Sequence, residues 1–272
     1  MLPTVRVFAT ADEVAAAAAA EIAGTLAEAI LERGEAHWST TGGSAAPPIY
    51  RLLGADPLRD SLDWGRVHVW WGDDRFVPVD HTYSNVLPLE QILLDSGGDE
   101  ANSGASASDV GGHGAGVRIP AAHIHPIPSS AAIAHGTGPA GAASAYAVEI
   151  GEFVPVDRDG VPVFDLIVLG VGPDGHILSV FPGSAVWDAT ELCVGVPAPT
   201  HVEPHVPRVT LHPRVLAVAR AILVVTTGAS KAANLGRAWT GDDARDLPIR
   251  AARLPNATWL LDEPAAAGLP RS

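Results

Sequence analysis

The chain is short of the residues that would mark it as secreted, membrane-spanning or nucleic-acid-binding. Among its 272 residues there is one cysteine, Cys193. An intrachain disulfide is therefore impossible, and no cysteine cluster exists for a structural zinc. Basic residues are few: seventeen stand against thirty-one acidic ones, a net charge of −14. That balance excludes the positive field that nucleic acids and anionic membrane surfaces require. No uncharged apolar run approaches the roughly 18 residues of a membrane span. The alanine-rich N-terminus carries Asp12, Glu13 and Glu21 with no basic stretch ahead of them, so no secretory leader is expected. The Gly-x-Ser-x-Gly elbow of serine hydrolases and the full phosphate loop of nucleoside triphosphatases are both absent. What is present is 47% hydrophobic and 18% charged residues, enough to bury a sizeable core. The expectation is a soluble protein of a reducing, cytoplasmic compartment with neither a nucleic-acid nor a membrane partner.

Short apolar runs alternate with helical patterns from end to end. Val5–Phe8 reads as a strand, and Thr10-x-x-Glu13 as a capping box. The helix it opens has a stripe of Val14, Ala18, Ile22, Leu26 and Ile30 and stops at Gly34. Residues 36–41 form a second strand, followed by Gly42-Gly43-Ser44 and a helix with Pro47 and Pro48 in its first turn. In 66–71, Val67, Val69 and Trp71 share one face while His68 and Trp70 share the other, the period of a strand. The run 163–169 has the continuous apolar character of a strand covered on both faces. Further strands are expected at 192–196, 221–227 and 257–261, with helices near 213–220, 229–239 and 262–267. The class is α/β: a three-layer sandwich with a mostly parallel sheet between flanking helices. No composition break or internal repeat divides the chain, so 1–272 is expected to be one domain. Its interruption is 95–118, too polar and glycine-rich to pack and read as a mobile surface loop.

Binding residues in such sheets collect on loops at the carboxyl ends of strands, which selects 41–44, 72–75, 170–176 and 227–231. The turn Gly42-Gly43-Ser44 lets backbone approach a ligand and presents helix N–H groups to an anion; it is equally an ordinary strand-to-helix turn capped by Ser44. Gly170-x-Gly172-x-x-Gly175 matches the dinucleotide fingerprint. Its details oppose that reading, because Asp174 puts a carboxylate where pyrophosphate should sit and Pro173 removes a donor. The same loop ends in Asp174-Gly175-His176, where the histidine is suited to taking a proton from water and the carboxylate to orienting the ring. A polar cap is the plain alternative. In Gly72-Asp73-Asp74-Arg75 the guanidinium is suited to a phosphate and a neighbouring carboxylate to steadying it; taken alone, the turn is a solvated charged one. Arg208 and Lys231 add cations close to strand ends. Sixteen of the seventeen basic residues are arginine and Lys231 is the single lysine, which points to a site wanting a compact charge on a flexible stem. His123-x-His125 and His201-x3-His205 are the metal candidates. Pro204 breaks the second pair's helical spacing and neither has a ligand partner at the usual interval, so no metal is expected.

Taken in order, these motifs resemble the 6-phosphogluconolactonase family. Val69-Trp70-Trp71-Gly72-Asp73-Asp74-Arg75-Phe76-Val77-Pro78, with Asp80 and Ser84-Asn85, is similar to the family's Trp-Gly-Asp-Glu-Arg block and trailing Ser-Asn. Phe164-Asp165-Leu166 through Gly170 to His176, and on to Ser179-Val180-Phe181-Pro182-Gly183, resembles its most specific block. Pro207-Arg208-Val209-Thr210-Leu211, Gly228 with Lys231, and Leu247-Pro248 with Trp259-Leu260-Leu261-Asp262 complete the series. The resemblance implies a modified Rossmann-like fold shared with glucosamine-6-phosphate deaminases and ribose-5-phosphate isomerases. It also implies hydrolysis of 6-phospho-D-glucono-1,5-lactone in the oxidative pentose phosphate pathway, with no cofactor, by a monomer or small homo-oligomer. His176 is then the general base and Asp174 its orienting partner, while Gly42, Gly43, Ser44, Asp73, Arg75, Arg208 and Lys231 bind the substrate and its phosphate. Asp74 replaces the family's usual glutamate, and Ile177-Leu178 replaces a small Thr-Ala pair, placing bulk beside the base. The deaminase branch carries a glutamate after its Asp-Gly-His block, where this chain has Val180-Phe181-Pro182-Gly183. A sugar-phosphate sensor on the same fold is the non-enzymatic alternative.

Overall fold

The computed structural model describes residues 2–94 and 116–270. Among them the strands are β1 Thr4–Phe8, β2 Ala36–Thr40, β3 Val67–Trp71, β4 Asp73–Arg75, β5 Ile124–His125, β6 Leu166–Leu169, β7 Cys193–Val196, β8 Arg208–Leu211, β9 Ala221–Thr226 and β10 Ala257–Asp262. The helices are α1 Ala11–Arg33, α2 Ala46–Leu53, α3 Val86–Ile92, α4 Ser129–Ala134, α5 Gly138–Phe153, α6 Val215–Val218, α7 Ala232–Ala238 and α8 Glu263–Ala266. Seven strands form one sheet in the order β1-β10-β9-β6-β2-β3-β5, parallel at every pairing.

Helices cover both faces of that sheet. On one, Trp38 meets Tyr50 of α2 edge-on at 6.2 Å, and the hydroxyls of Thr40 and Tyr50 are 2.8 Å apart. On the other, Trp70 packs against Tyr146 and Phe153 of α5. The period-two alternation of β2 and β3 sends their side chains to opposite layers in this way. Trp38, Trp70, Trp71 and Trp259 are fully buried. At roughly 150–250 Å² per aromatic and about 25 cal/mol per Å², each contributes at most about 4–6 kcal/mol of transfer free energy.

The capping box forms as expected: Thr10 Oγ1 accepts from the Glu13 amide, and the Glu13 carboxylate accepts from the Thr10 amide, each at 3.2 Å. Gly34 ends α1 at φ 88°. By length and composition alone this helix is apolar enough to cross a membrane. Its stripe of Val14, Ala18, Ile22 and Leu26 is instead buried, and α1 packs on β9, β10, β2 and α2.

Three expectations need correction. The strand near 192–196 does not join the parallel sheet. No α-helix forms between β6 and β7 to lay a parallel return, so β7 pairs antiparallel with β8, and β8 with β4, in a separate three-stranded sheet. The helix near 213–220 is one turn, Val215–Val218, and that near 229–239 opens with the 3-10 turn Ala229–Lys231. Finally, most of the 95–118 loop lies outside the described residues, but Val117 is buried and bridges Leu94.

Candidate active site

Adjacent strands β9, β6, β2 and β3 deliver their carboxyl ends to one crevice, the place where open α/β sheets bind ligands. A cavity of about 240 Å³ opens there, lined by Gly42, Gly43, Ser44, Asp73, Arg75, His176, Arg208 and Lys231. All four segments selected from the sequence contribute to its wall, although 73–75 is the short strand β4 rather than a loop. Asp174 is not in the wall but bonds to the His176 ring.

The loop after β6 folds so that this pair is held closely. Asp174 Oδ1 lies 2.5 Å from His176 Nδ1 and accepts the His176 amide at 3.2 Å. Gly172 makes room: a Cβ there would sit 2.0 Å from His176 Nδ1. Gly175 turns the chain at φ 85°, and Asn234 of α7 donates to the Pro173 carbonyl at 2.7 Å. Burial pushes the Asp174 carboxyl up, but hydrogen bonding and attraction to His176, with a further hydrogen bond from His201, outweigh it and hold the group well below the usual carboxylate range. Asp174 is thus ionised and accepts only, so His176 Nδ1 carries the hydrogen and its Nε2 is left with a basic lone pair.

The cations come from three elements. Arg75 and Arg208 are directly opposed across β4 and β8. Arg208 is 3% exposed, with its pKa lowered by burial. The Nε of each arginine is buried without a hydrogen-bond partner among the described residues, while both residues line the cavity. Lys231 sits on the turn after β9, fastened where the Gly228 amide donates to both Asp262 carboxylate oxygens at 2.9 and 3.0 Å. Its own pKa is lowered by burial, which the charge of Asp174 partly offsets.

Asp74 organises the 72–85 segment from within. It is 3% exposed, and its carboxylate accepts from the amides of Arg75 and Asn85, both at 2.7 Å, and from the Ser84 hydroxyl at 2.9 Å. Burial pushes its pKa up to about 7 against those hydrogen bonds. The segment in turn presents Asn85, whose Oδ1 accepts from Arg75 Nη1 at 3.0 Å and whose Nδ2 donates to the Asp73 carbonyl at 2.9 Å. Ser179 donates to Asp73 Oδ2 at 2.5 Å. The replacement pair divides its roles: Ile177 is fully buried, while Leu178 lines the cavity at φ 54°. Ser44 does not cap α2, whose N-cap is Ala45; residues 43–45 form a 3-10 turn, and its Gly43 and Ser44 line the cavity with the preceding Gly42.

Two residues escaped the sequence reading. Asn85 stands within a sequence motif, but its neighbour Gly42 is 43 residues distant in the chain, beyond the reach of local spacing. His201, weighed as a metal ligand, donates from Nε2 to Asp174 Oδ2 at 2.9 Å. His205 instead bonds the Pro199 carbonyl at 2.8 Å. The other candidate pair lies away from the crevice: His125 bonds His68 at 2.9 Å and Glu149 at 2.8 Å, while His123 stacks on His68. Among the described residues no group of three or more His, Cys, Asp or Glu is arranged for a metal.

Comparison with known proteins gives a consistent picture. Residues 9–260 match the family described as glucosamine-6-phosphate isomerases/6-phosphogluconolactonase. The chain is 34% identical to the 6-phosphogluconolactonase of Streptomyces coelicolor over 263 residues, covering 95% of this chain and 91% of that one. It is 31% identical to the 6-phosphogluconolactonase of Mycobacterium tuberculosis over 272 residues, covering 99% and 100%. The solved 6-phosphogluconolactonase of Trypanosoma brucei superposes with a TM-score of 0.77 at 27% identity, covering 98% of this chain and 99% of that one. A monomeric glucosamine-6-phosphate deaminase shares the fold, with a TM-score of 0.73 at 17% identity over 97% and 99% of the two chains. With residues 9–260 matching the family and nearly its whole length aligned to these relatives, the chain belongs to the glucosamine-6-phosphate isomerase/6-phosphogluconolactonase family.

Proposed function

We propose that the protein hydrolyses 6-phospho-D-glucono-1,5-lactone to 6-phospho-D-gluconate, a carboxylic ester hydrolysis of the oxidative pentose phosphate pathway. The observation that carries this reading is the His176–Asp174 pair at 2.5 Å beside a cavity lined by Arg75, Arg208 and Lys231. His176 Nε2 takes a proton from water as the oxygen adds to the lactone carbonyl carbon, and Asp174 stabilises the imidazolium that forms. The tetrahedral intermediate collapses by cleavage of the bond from carbon 1 to the ring oxygen. His176 returns its proton to that oxygen, and the new carboxyl group ionises to solvent. General base catalysis supplies typically about 10²–10⁴-fold; placement of the lactone supplies much of the rest.

Placement comes from the remote phosphate, whose binding energy holds carbon 1 against the base. The Gly42–Ser44 turn and the cations Arg75, Arg208 and Lys231 form the anion pocket, with Asp73 steadying its wall through Ser179. This local positive patch offsets the net −14 that would otherwise repel a dianion. The named side chains supply base, acid and positive charge among themselves. A deaminase or isomerase is disfavoured because Phe181 stands in the stretch where that branch carries its glutamate. A cytoplasmic enzyme acting as a monomer or small homo-oligomer belongs to the same proposal; the buried Cys193, with its thiol pushed up to about 12 by burial, is consistent with a reducing compartment. A lactonase assay with glucosamine-6-phosphate as control substrate tests the reading. Lactone hydrolysis without deamination is expected, and 6-phosphogluconate binding without turnover would identify a sensor instead.

A further inference from the structure

The Asp174 carboxylate is shared between two histidines. Its Oδ1 serves His176, and its Oδ2 accepts from His201 Nε2 at 2.9 Å. His201 belongs to the segment 197–207, which joins β7 to β8 and contributes Val202 and Glu203 to the cavity wall. Four prolines, at 197, 199, 204 and 207, limit the conformations of this segment. Its internal fastenings are the His205 bond to the Pro199 carbonyl at 2.8 Å and the pairing of His205 with Glu203 at 3.0 Å. Arg208 also donates to the Pro204 carbonyl at 3.1 Å. The segment is therefore a preshaped strap, and the His201–Asp174 bond ties it to the loop after β6. Phe181 backs the arrangement, with its ring 4.6 Å from His176, 5.7 Å from His201 and 5.7 Å beneath the Arg208 guanidinium.

We infer that His201 is a positioning residue for the lactone hydrolysis, orienting the Asp174 carboxylate toward His176 while seating the 197–207 strap against the cavity. A carboxylate held at one oxygen rotates about its Cβ–Cγ bond; held at both, it keeps Oδ1 in line with His176 Nδ1 and so preserves the tautomer that leaves Nε2 basic. The inference rests on the assignment of His176 as base. Other charges around the pair are Asp73 and Arg75 of β4, Arg208 of β8, Lys231 after β9 and Glu203 of the strap itself.

The test is steady-state lactone hydrolysis across pH by His201→Ala, His201→Gln and, in parallel, His176→Asn. His201→Ala is expected to lower kcat about tenfold with KM changed less than threefold. Its acid limb should move to higher pH, because an Asp174 with one donor fewer presents more negative charge to His176 and favours the imidazolium. The glutamine variant retains an N–H donor and should recover most of the lost kcat. Wild-type kcat and pH profile in His201→Ala would overturn the inference, as would a loss that glutamine fails to restore, since packing on Phe181 alone would then explain it. Undiminished kcat in His176→Asn would overturn the base assignment and this inference with it. Inactive His176→Asn beside fully active His201→Ala would remove the His201 role alone.

Discussion

Asn85 occupies the space that a side chain at position 42 would need: a Cβ on Gly42 would lie 1.8 Å from Asn85 Oδ1. That same oxygen accepts from Arg75 Nη1 at 3.0 Å. The glycine turn after β2 and the arginine of β4 are thus linked through one amide. Gly42→Ala should displace Asn85, release Arg75 and raise KM for the lactone roughly tenfold, about the value of one charge-assisted hydrogen bond, with a smaller effect on kcat. Kinetics together with a melting curve check this. An unchanged KM would mean that Arg75 does not need Asn85 to bind substrate.

His176→Asn should keep binding of 6-phosphogluconate yet lower kcat by about two orders of magnitude or more, because proton transfer is lost while the anion pocket stays. Calorimetric titration and turnover on the same preparation separate the two. Near-wild-type kcat would end the assignment of His176.

The Lys231 ammonium forms no hydrogen bond or ion pair within the described residues, although the residue is partly buried. Lys231→Ala should therefore cripple hydrolysis while leaving the melting temperature nearly unchanged. Lys231→Arg should fold normally but lose about 1–3 kcal/mol of transition-state stabilisation, because a planar fork replaces a compact ammonium. Equal kcat and KM in the arginine variant would show that the site needs positive charge of any shape.

The histidine network on the α5 side of the sheet makes stability depend on pH. Burial, and then the neighbouring His123, His37 and His125, push the His68 pKa down to about 3, and burial also lowers that of His37. An unfolded chain binds a proton at His68 near pH 6.5, whereas the folded chain refuses it until about pH 3. The stabilising contribution is therefore complete above about pH 6.5 and is lost as pH falls toward 3. Melting temperatures at pH 7.5 and pH 5 should differ, and His68→Gln, which does not titrate, should show a smaller difference. Parallel curves for the two proteins would place the acid sensitivity elsewhere.

Much of this site was legible in the amino-acid sequence because it hangs on strand ends. The alternation of Val67–Trp71 and the apolar run ending at Leu169 mark where β3 and β6 stop; the short strand β4 just after β3 holds Asp73 and Arg75, and the loop after β6 holds Asp174 and His176. The capping box of α1 was equally plain, since its three-residue spacing is local. What could not be read is long-range. The antiparallel sheet depends on pairing 193–196 with 208–211, and nothing in either run states its partner. His201 and Asn85 act through contacts 27 and 10 residues away, with Asp174 and Arg75 respectively. Ser44 has the chemistry of a cap, but two prolines at the start of α2 and an intervening 3-10 turn moved the N-cap to Ala45.

The opposition of Arg75 and Arg208 across β4 and β8 has a cost that falls on the fold. Like charges directly across an antiparallel pair repel; at Arg208 burial lowers the pKa most, the charge of Asp73 opposes it, and Arg75 lowers it further against Asp74. The small sheet thus holds two guanidiniums close together, with the carboxylates of Asp73 and Asp74 countering part of their repulsion. On the proposed function, a dianion bound by both guanidiniums would turn that repulsion into a bridge. It also stabilises the folded chain by RT ln(1 + [L]/Kd). The cell's supply of phosphosugar would then set not only how fast the enzyme works but how long each copy survives unfolding and proteolysis.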